Sequence, residues 1–262
     1  MSDVDRILAE GSLELQGRLI GASNASFYGT VSLDGVELPC IYKPVAGERP
    51  LWDFPDGNLA GREHAARLFS DAGGWGLVPP TVLRDGRFGP GMVQQWIEDA
   101  APHTLVDVIR VDESRPGWIA VLEAEDTDGN DVLLVHADHT RLRDLAVFDV
   151  VANNADRKGG HVLARAQDPE ALWGCDHGVS FHVETKLRTV LWGWADEPLR
   201  ERDLTALDRL AGGLDGDLRA DLAAFLTAVE IDALAERVER LRSGGRMPVP
   251  DGSWPAIPWP AF

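Results

Sequence analysis

Apolar and polar positions alternate over residues 12–20 (SLELQGRLI), the two-residue period of a strand half-buried on one face. A polar, small-residue loop, GASNAS, leads to a second run at 27–33. Asp34-Gly35 then forms a hairpin signal into a third strand at 36–43 (VELPCIYK). Pro39 inside that run points to an edge strand or a bulge, because proline has no N–H for a ladder. After a loop rich in Pro, Gly and Trp at 44–57, Asn58 caps a helix that runs to about Ser70, with Leu59, Ala66 and Phe69 on one side and Gly73-Gly74 as its stop. Strands are expected at 77–84 and 90–98, joined by RDGRFG.

The second half is patterned differently. A short helix is expected at 103–110 and a hairpin at 117–125 and 131–136 around Asp128-Gly129. Leu142, Leu145, Phe148 and Val151 recur at three-residue steps and predict a helix over 138–152. The loop NNADRKGGH follows, then short strands at 161–165 and 171–175. From about residue 196 the pattern is helical, over 198–211, 216–229 and 231–242. The last 15 residues hold five prolines and two tryptophans, which predicts an extended tail. The layout is a β-rich first part followed by a mostly helical second part, within a length of 262 residues that suits one large domain or two small ones.

Composition narrows the classes. Hydrophobic residues at 44% and charged residues at 26% describe a folded globular chain. No stretch of 18 apolar residues is present, and the acidic start MSDVDRILAE lacks the basic and apolar regions of a secretory leader, so a cytoplasmic location is expected. Cys40 and Cys175 are isolated, which argues against a disulfide framework or a cysteine zinc site. The net charge of −18 repels nucleic acid and anionic lipid, so neither is an expected partner. Of the 25 basic residues only three are lysines, Lys43, Lys158 and Lys186.

Phosphoryl transfer from ATP needs a phosphate cradle, a cation, a carboxylate for the acceptor hydroxyl and metal ligands. Candidates for each occur in order. Gly21 to Ser26 is a small-residue loop between two strands, with Ser23, Asn24 and Ser26 as donors. Lys43 ends the third strand, and Glu63 lies in the following helix, where it can pair with Lys43. The loop carrying Asp156 follows a helix, and a strand then ends in Asp176-His-Gly178, a turn suited to a metal ligand. Taken singly, each of these is an ordinary turn or surface residue. Their order and the separation of about 20 residues between the two aspartates give them weight together.

The segments GRLIGASNASFYGTV, YKP with RE in the next helix, FDVVANNADRKGGH and DHG resemble the atypical kinases. These are the phosphatidylinositol 3- and 4-kinase-like catalytic domains and the HipA-type kinases, whose loop reads N-x-D-R-x-x-x-N. KPVAGERPLWDFPDGNLAGREHAA and GWGLVPPTV resemble, more closely, an actinobacterial family of phosphatidylinositol-kinase-like chains. The resemblance spans about residues 12–185 and implies an α+β, bilobal protein-kinase-like fold. Residues 1–98 would be a β-rich N-lobe with hinge, 99–242 a mostly helical C-lobe and 243–262 the tail, all one domain. It implies that Lys43 contacts nucleotide phosphates, that Glu63 anchors Lys43, that Asp156 is the catalytic aspartate and that Asp176 binds metal. Segment 92–97, with Gln94, Trp96 and Ile97, would meet the adenine. The expected reactants are ATP, with Mg²⁺ or Mn²⁺, and an unidentified hydroxyl-bearing acceptor.

One position departs from the pattern. Five residues after Asp156 the related loops carry a metal-binding Asn, and this chain has His161. Imidazole suits Mn²⁺ or Zn²⁺ better than Mg²⁺. The substitution leaves two expectations open, an enzyme with altered metal preference or a pseudokinase that binds nucleotide without turnover. AMP transfer on the same fold is a third. Three other patterns carry less weight. The five histidines 136, 139, 161, 177 and 182 are a weak case for a metal cluster, no G-x-S-x-G elbow is present for hydrolase chemistry, and Arg237, Arg240, Arg242 and Arg246 fit a solvated helix face better than a lipid contact.

Overall fold

The computed structural model describes residues 2–21, 24–98, 104–165, 168–252 and 254–262. The chain opens with helix α1 (Asp3–Glu10), whose N-terminus is closed by a capping box between Ser2 and Asp5. The sequence patterning did not yield this helix. Ile7 and Leu8 on α1 are buried against the first sheet, in a small core with Val31, Cys40, Tyr42 and Val93.

That sheet holds β1 (Ser12–Arg18), β2 (Phe27–Leu33), β3 (Val36–Pro44), β4 (Thr81–Gly86) and β5 (Gly89–Gln95) in the order β1-β2-β3-β5-β4, antiparallel throughout. The β2–β3 turn takes positive φ at both Asp34 (51°) and Gly35 (81°), the two-residue geometry that matches strand twist. Pro39 does not mark an edge, because β3 is interior. Its carbonyl accepts from Trp96 N (2.9 Å) just past the end of β5 at Gln95, so the missing N–H falls where strand pairing has stopped. Between β3 and β4, helix α2 (Leu59–Ala72) is capped by Asn58, whose Oδ1 accepts Gly61 N at 2.7 Å.

The expected helix at 103–110 is replaced by a strand. Val106–Arg110 forms β6, which with β7 (Trp118–Glu125) and β8 (Asp131–Ala137) makes a three-stranded antiparallel sheet ordered β6-β8-β7. Three β-branched residues in five, with Val106 and Ile109 buried, favour the pleated backbone there. Helix α3 (Thr140–Ala152) and the hairpin β9 (Val162–Arg165)–β10 (Asp168–Gly174) follow, then α4 (Glu201–Leu214), α5 (Asp217–Leu222) and α6 (Ala228–Gly244). The part after residue 98 is therefore mixed rather than mostly helical. The helix expected over 216–229 is short because Thr227 starts a new one, in a capping box with Glu230.

The larger core gathers α3, α4, α6 and the inner face of α2. Phe69 of α2 lies 5.9 Å, ring to ring, from both Phe148 and Phe181. Beside it, Arg62 is buried and donates to Glu230 on α6, to Ser180 O at 2.9 Å and to Asp56 O at 3.1 Å. Helix α2 is thus fixed to the second half of the chain by aromatic packing and by a buried ion pair. Among the described residues no helix is long and apolar enough to cross a membrane.

Breaking a buried pair leaves one charge uncompensated. Glu230→Gln, which keeps the shape, is expected to lower the unfolding free energy by about 3 kcal/mol in a urea titration. A loss under about 1 kcal/mol would mean that the pair behaves as an exposed one.

Candidate active site

Two residues of the N-terminal part set the upper wall of the site. On β3 the buried positions alternate through Cys40, Tyr42 and Pro44, which turns Lys43 to the other face. On α2 the helix start is held twice, by Asn58 and by Glu48, whose carboxylate accepts Leu59 N and Ala60 N at 2.8 Å each. Glu63, one turn on, is 3% exposed. Its Oε1 accepts Lys43 Nζ at 2.9 Å and its Oε2 accepts His177 N at 2.9 Å. One carboxylate therefore ties β3 to the segment after β10.

That segment carries Asp176 in the left-handed region, at φ 57°. The turn brings its carboxylate to Lys43, which donates to Oδ1. The Lys43 ammonium holds the Asp176 carboxyl well below the usual carboxylate range, and the two carboxylates Asp176 and Glu63 overcome burial to raise Lys43 above its usual value. Both groups are charged at neutral pH.

The lower wall is the loop after α3. Asn153 ends that helix in the left-handed conformation (φ 54°, ψ 50°) and its amide is taken up by His182 O, Glu184 O and Lys186 N, so it supports the loop from below. Asn154 Oδ1 accepts Asp156 N at 3.0 Å, an Asx turn that fixes the start of the loop. Asp156 is one-third exposed, with Lys158 Nζ 3.8 Å from its Oδ2. Burial, reinforced by the Asp176 charge, outweighs the neighbouring cations and pushes the Asp156 carboxyl above its ordinary value.

His161 joins the two aspartates. Its Nδ1 lies 2.9 Å from Asp156 O, and a carbonyl only accepts, so Nδ1 carries the proton. Burial pushes its pKa down to about 4, so the ring is neutral at pH 7. The bare Nε2 then faces Asp176 Oδ2 at 3.4 Å. Two acceptors directed at each other with no proton between them fit a shared divalent cation, which pairs an imidazole nitrogen with a carboxylate oxygen. Among the described residues no group of three or more His, Cys, Asp or Glu is arranged to hold a metal by itself, so the histidine cluster is not assembled. His136 is a core residue that accepts Gly193 N at 3.0 Å and packs on Trp194.

Behind this surface lies a buried polar bed that sequence reasoning missed. Arg157 and Asp149 are each fully buried and form a fork, with Nε 2.9 Å from Oδ2 and Nη2 2.9 Å from Oδ1. Arg157 also donates to Cys175 O at 2.9 Å and to His177 Nε2 at 2.7 Å, while Asn154 Nδ2 donates to Asp149 at 3.0 Å. The signal was present as an aspartate inside the apolar helix stretch FDVVA, eight residues before an arginine.

The structure brings together Lys43, Glu63, Asp156, His161 and Asp176. The other expected site residues lie apart from that network. Ser23 lies outside the described residues. Asn24 Oδ1 accepts Arg49 N at 2.8 Å, and Ser26 is buried. Gln94 donates its amide to Thr81 Oγ1 at 2.8 Å, Ile97 is buried, and Trp96 packs edge-on against Tyr28. Segment 92–97 does sit beside Lys43, since Lys43 pairs with Met92 across the β3–β5 ladder.

A kinase shares this architecture. The crystal structure of the Golgi casein kinase superposes on 92% of this chain and 73% of its own, with a TM-score of 0.50 at 13% identity, which shows a kinase-like fold. The chain is also 49% identical to Protein Rv2133c of Mycobacterium tuberculosis over 269 residues, covering 99% of this chain and 96% of that protein, and it belongs to that protein's family. No family model matches the chain.

The depressed His161 pKa makes stability pH-dependent. The unfolded chain takes up this proton near pH 6.5 and the folded chain only near pH 4, so the unfolded state binds more protons between those values. The stabilisation is complete above about pH 6.5 and declines as pH falls toward 4. In chelator-treated protein, His161→Asn is expected to remove on the order of 3 kcal/mol of that decline, read as a shallower loss of urea midpoint from pH 7 to 4. An unchanged slope would mean that the folded ring titrates normally.

Proposed function

We propose that this chain is an ATP- and metal-dependent phosphotransferase of the phosphatidylinositol 3-/4-kinase-like and HipA-like type, acting on a hydroxyl acceptor. The observation that carries the reading is the convergence of Lys43, Glu63, Asp176, His161 and Asp156 from β3, α2, the turn after β10 and the loop after α3. In this reading residues 1–98 are the N-lobe and hinge, 99–242 the C-lobe and 243–262 the tail. The chain's charge of −18 favours a protein or small polar acceptor over a lipid at an anionic surface.

Each residue then has a defined task. Lys43 has three N–H donors; Glu63 and Asp176 accept two, and the third is available to a phosphate oxygen. Glu63 keeps the ammonium in place. Asp176 Oδ2 and His161 Nε2 would hold the divalent cation, which supplies positive charge to the phosphates of the transferring group. Asp156, with its raised carboxyl pKa, accepts or orients the acceptor proton, and Lys158 beside it adds a positive charge near the transferred group. The nucleotide base would lie along 92–97, and the 21–26 loop over the phosphates.

Incubation with γ-labelled and α-labelled ATP and Mn²⁺ or Mg²⁺, with cell extract as acceptor source, tests the class. Transfer of the γ label is expected, and transfer of the α label would indicate AMP transfer. Asp156→Asn should lower turnover by roughly a hundredfold to ten-thousandfold with nucleotide affinity nearly unchanged, whereas Asp176→Asn should weaken metal-dependent nucleotide binding itself. Turnover unaffected by both substitutions would place the chemistry elsewhere.

His161 in place of an asparagine favours a second reading, a nucleotide-binding pseudokinase. The ligand assignment predicts that Mn²⁺ supports ATP binding better than Mg²⁺ at equal concentration and that His161→Asn reverses the preference. Identical metal preference in both proteins would remove His161 as a ligand and strengthen the pseudokinase reading.

A further inference from the structure

The arginines near the end of α6 are not all solvated. Arg242 is, and it pairs with Asp208 at 3.0 Å and Glu239 at 2.8 Å. Arg237 is half-buried, and together with the exposed Arg240 and Arg246 it lines a cavity of about 330 Å³ between the end of α3, α6 and the proline-rich tail. Val150, Leu187, Trp192 and Leu241 supply apolar wall, and Pro248, Val249 and Trp254 of the tail line the other side. Its size falls at the lower end of small-molecule pockets.

The polar groups of this cavity are incompletely matched. Arg237 Nε donates to Val151 O at 2.9 Å and Nη1 to His182 O at 3.0 Å, but Nη2 is buried with no acceptor. Among the described residues no carboxylate forms an ion pair with Arg237 or Arg240. Burial, with the Arg240 charge alongside, pushes the Arg237 pKa down to about 10. The indole N–H of Trp254 is a second buried donor without an acceptor. Arg246 is matched by Asp196 at 2.9 Å, and Asp251, exposed, is the acid among the lining residues. Buried guanidinium nitrogens are ordinarily bonded to an acceptor, but Glu230 and Glu236 act on Arg237 only through their charge and neither bonds its Nη2.

We propose that this cavity binds a small organic anion, a carboxylate or phosphate monoester on an aromatic or branched apolar body. The charged group sits on Arg237 and Arg240, and the body packs on Leu241, Trp192 and Val249. A ligand with no acceptor oxygen would leave Arg237 Nη2 unmatched. A nucleoside triphosphate carries more charge than two arginines balance. The cavity contains none of Lys43, Glu63, Asp156, His161 and Asp176 and touches the site only at Asn153, which supports the loop from below, so the assignment does not rest on the phosphotransfer reading. It adjoins the catalytic-loop side of the molecule, because Asn153 lines it and Asn153 and Arg237 both hold His182 O.

Calorimetric titration of the full chain in phosphate-free buffer tests this with benzoate, phenyl phosphate, inorganic phosphate and benzamide, the neutral analogue of benzoate. Saturable binding of benzoate or phenyl phosphate is expected, with benzamide weaker by about tenfold or more. Arg240→Glu should weaken the anion by about tenfold or more, and Val249→Trp, which fills the cavity, should block it. Lys43→Met should bind the anion as the wild type does. Absence of saturable binding by both aromatic anions, equal affinity in Arg240→Glu, or loss of binding in Lys43→Met would overturn the site. Inorganic phosphate binding as tightly as phenyl phosphate would overturn the apolar half of the assignment.

Discussion

Everything in the cleft depends on where the Glu63 carboxylate is held. Its two oxygens have different partners, Lys43 Nζ on the sheet side and His177 N on the side of the turn after β10, both at 2.9 Å. A carboxylate only 4% exposed needs such partners to offset the loss of its hydration. The contact is therefore structural as much as chemical. It fixes the height of Lys43 above Asp176, and the His177 bond fixes the turn that presents Asp176. The helix that carries Glu63 is in turn held by Phe69 against Phe148 and Phe181 and by Arg62 against Glu230. The Lys43–Glu63 contact is thus already made in the chain by itself, on a helix anchored in the core of the second half.

Below the cleft the same logic is repeated with opposite signs. Arg157 is the buried cation, and Asp149, His177 and two carbonyls are arranged around it. The upper and lower networks meet at the 175–177 segment, where His177 gives its backbone N–H to Glu63 and accepts Arg157 on its ring. On the surface of these networks Nε2 of His161 and Oδ2 of Asp176 face each other. An imidazole nitrogen and a carboxylate oxygen that face each other, each held from behind by hydrogen bonds, are shaped for a cation.

The sequence was informative where local rules act alone. The Asp34-Gly35 turn, the Asn58 cap, the three-residue steps of α3 and the order of Lys43, Glu63, Asp156 and Asp176 all follow from turn chemistry, capping and spacing. It was uninformative where long-range packing decides. Residues 106–110 pair with β8, a partner more than 20 residues away, and that pairing overrides a helical reading of a short segment. Helix α1 has only eight residues and is stabilised by its capping box and by Ile7 and Leu8 on the sheet. Pro39 misled because a strand can be interior and still have one end unpaired. Arg157 and Asp149 look like ordinary surface charges until the fold buries both, and Arg237 looks like part of a solvated face until the fold turns it onto Val151 O and His182 O.

Crystals of the protein grown with Mn²⁺ and a non-hydrolysable ATP analogue test the central claim most directly, through anomalous scattering at the manganese edge. The account predicts a manganese peak shared by His161 Nε2 and Asp176 Oδ2, triphosphate oxygens within hydrogen-bond reach of Lys43 Nζ, and an unmoved Lys43–Glu63 contact. Nucleotide seated away from Lys43, or manganese absent from the His161–Asp176 pair while nucleotide is bound, would contradict it.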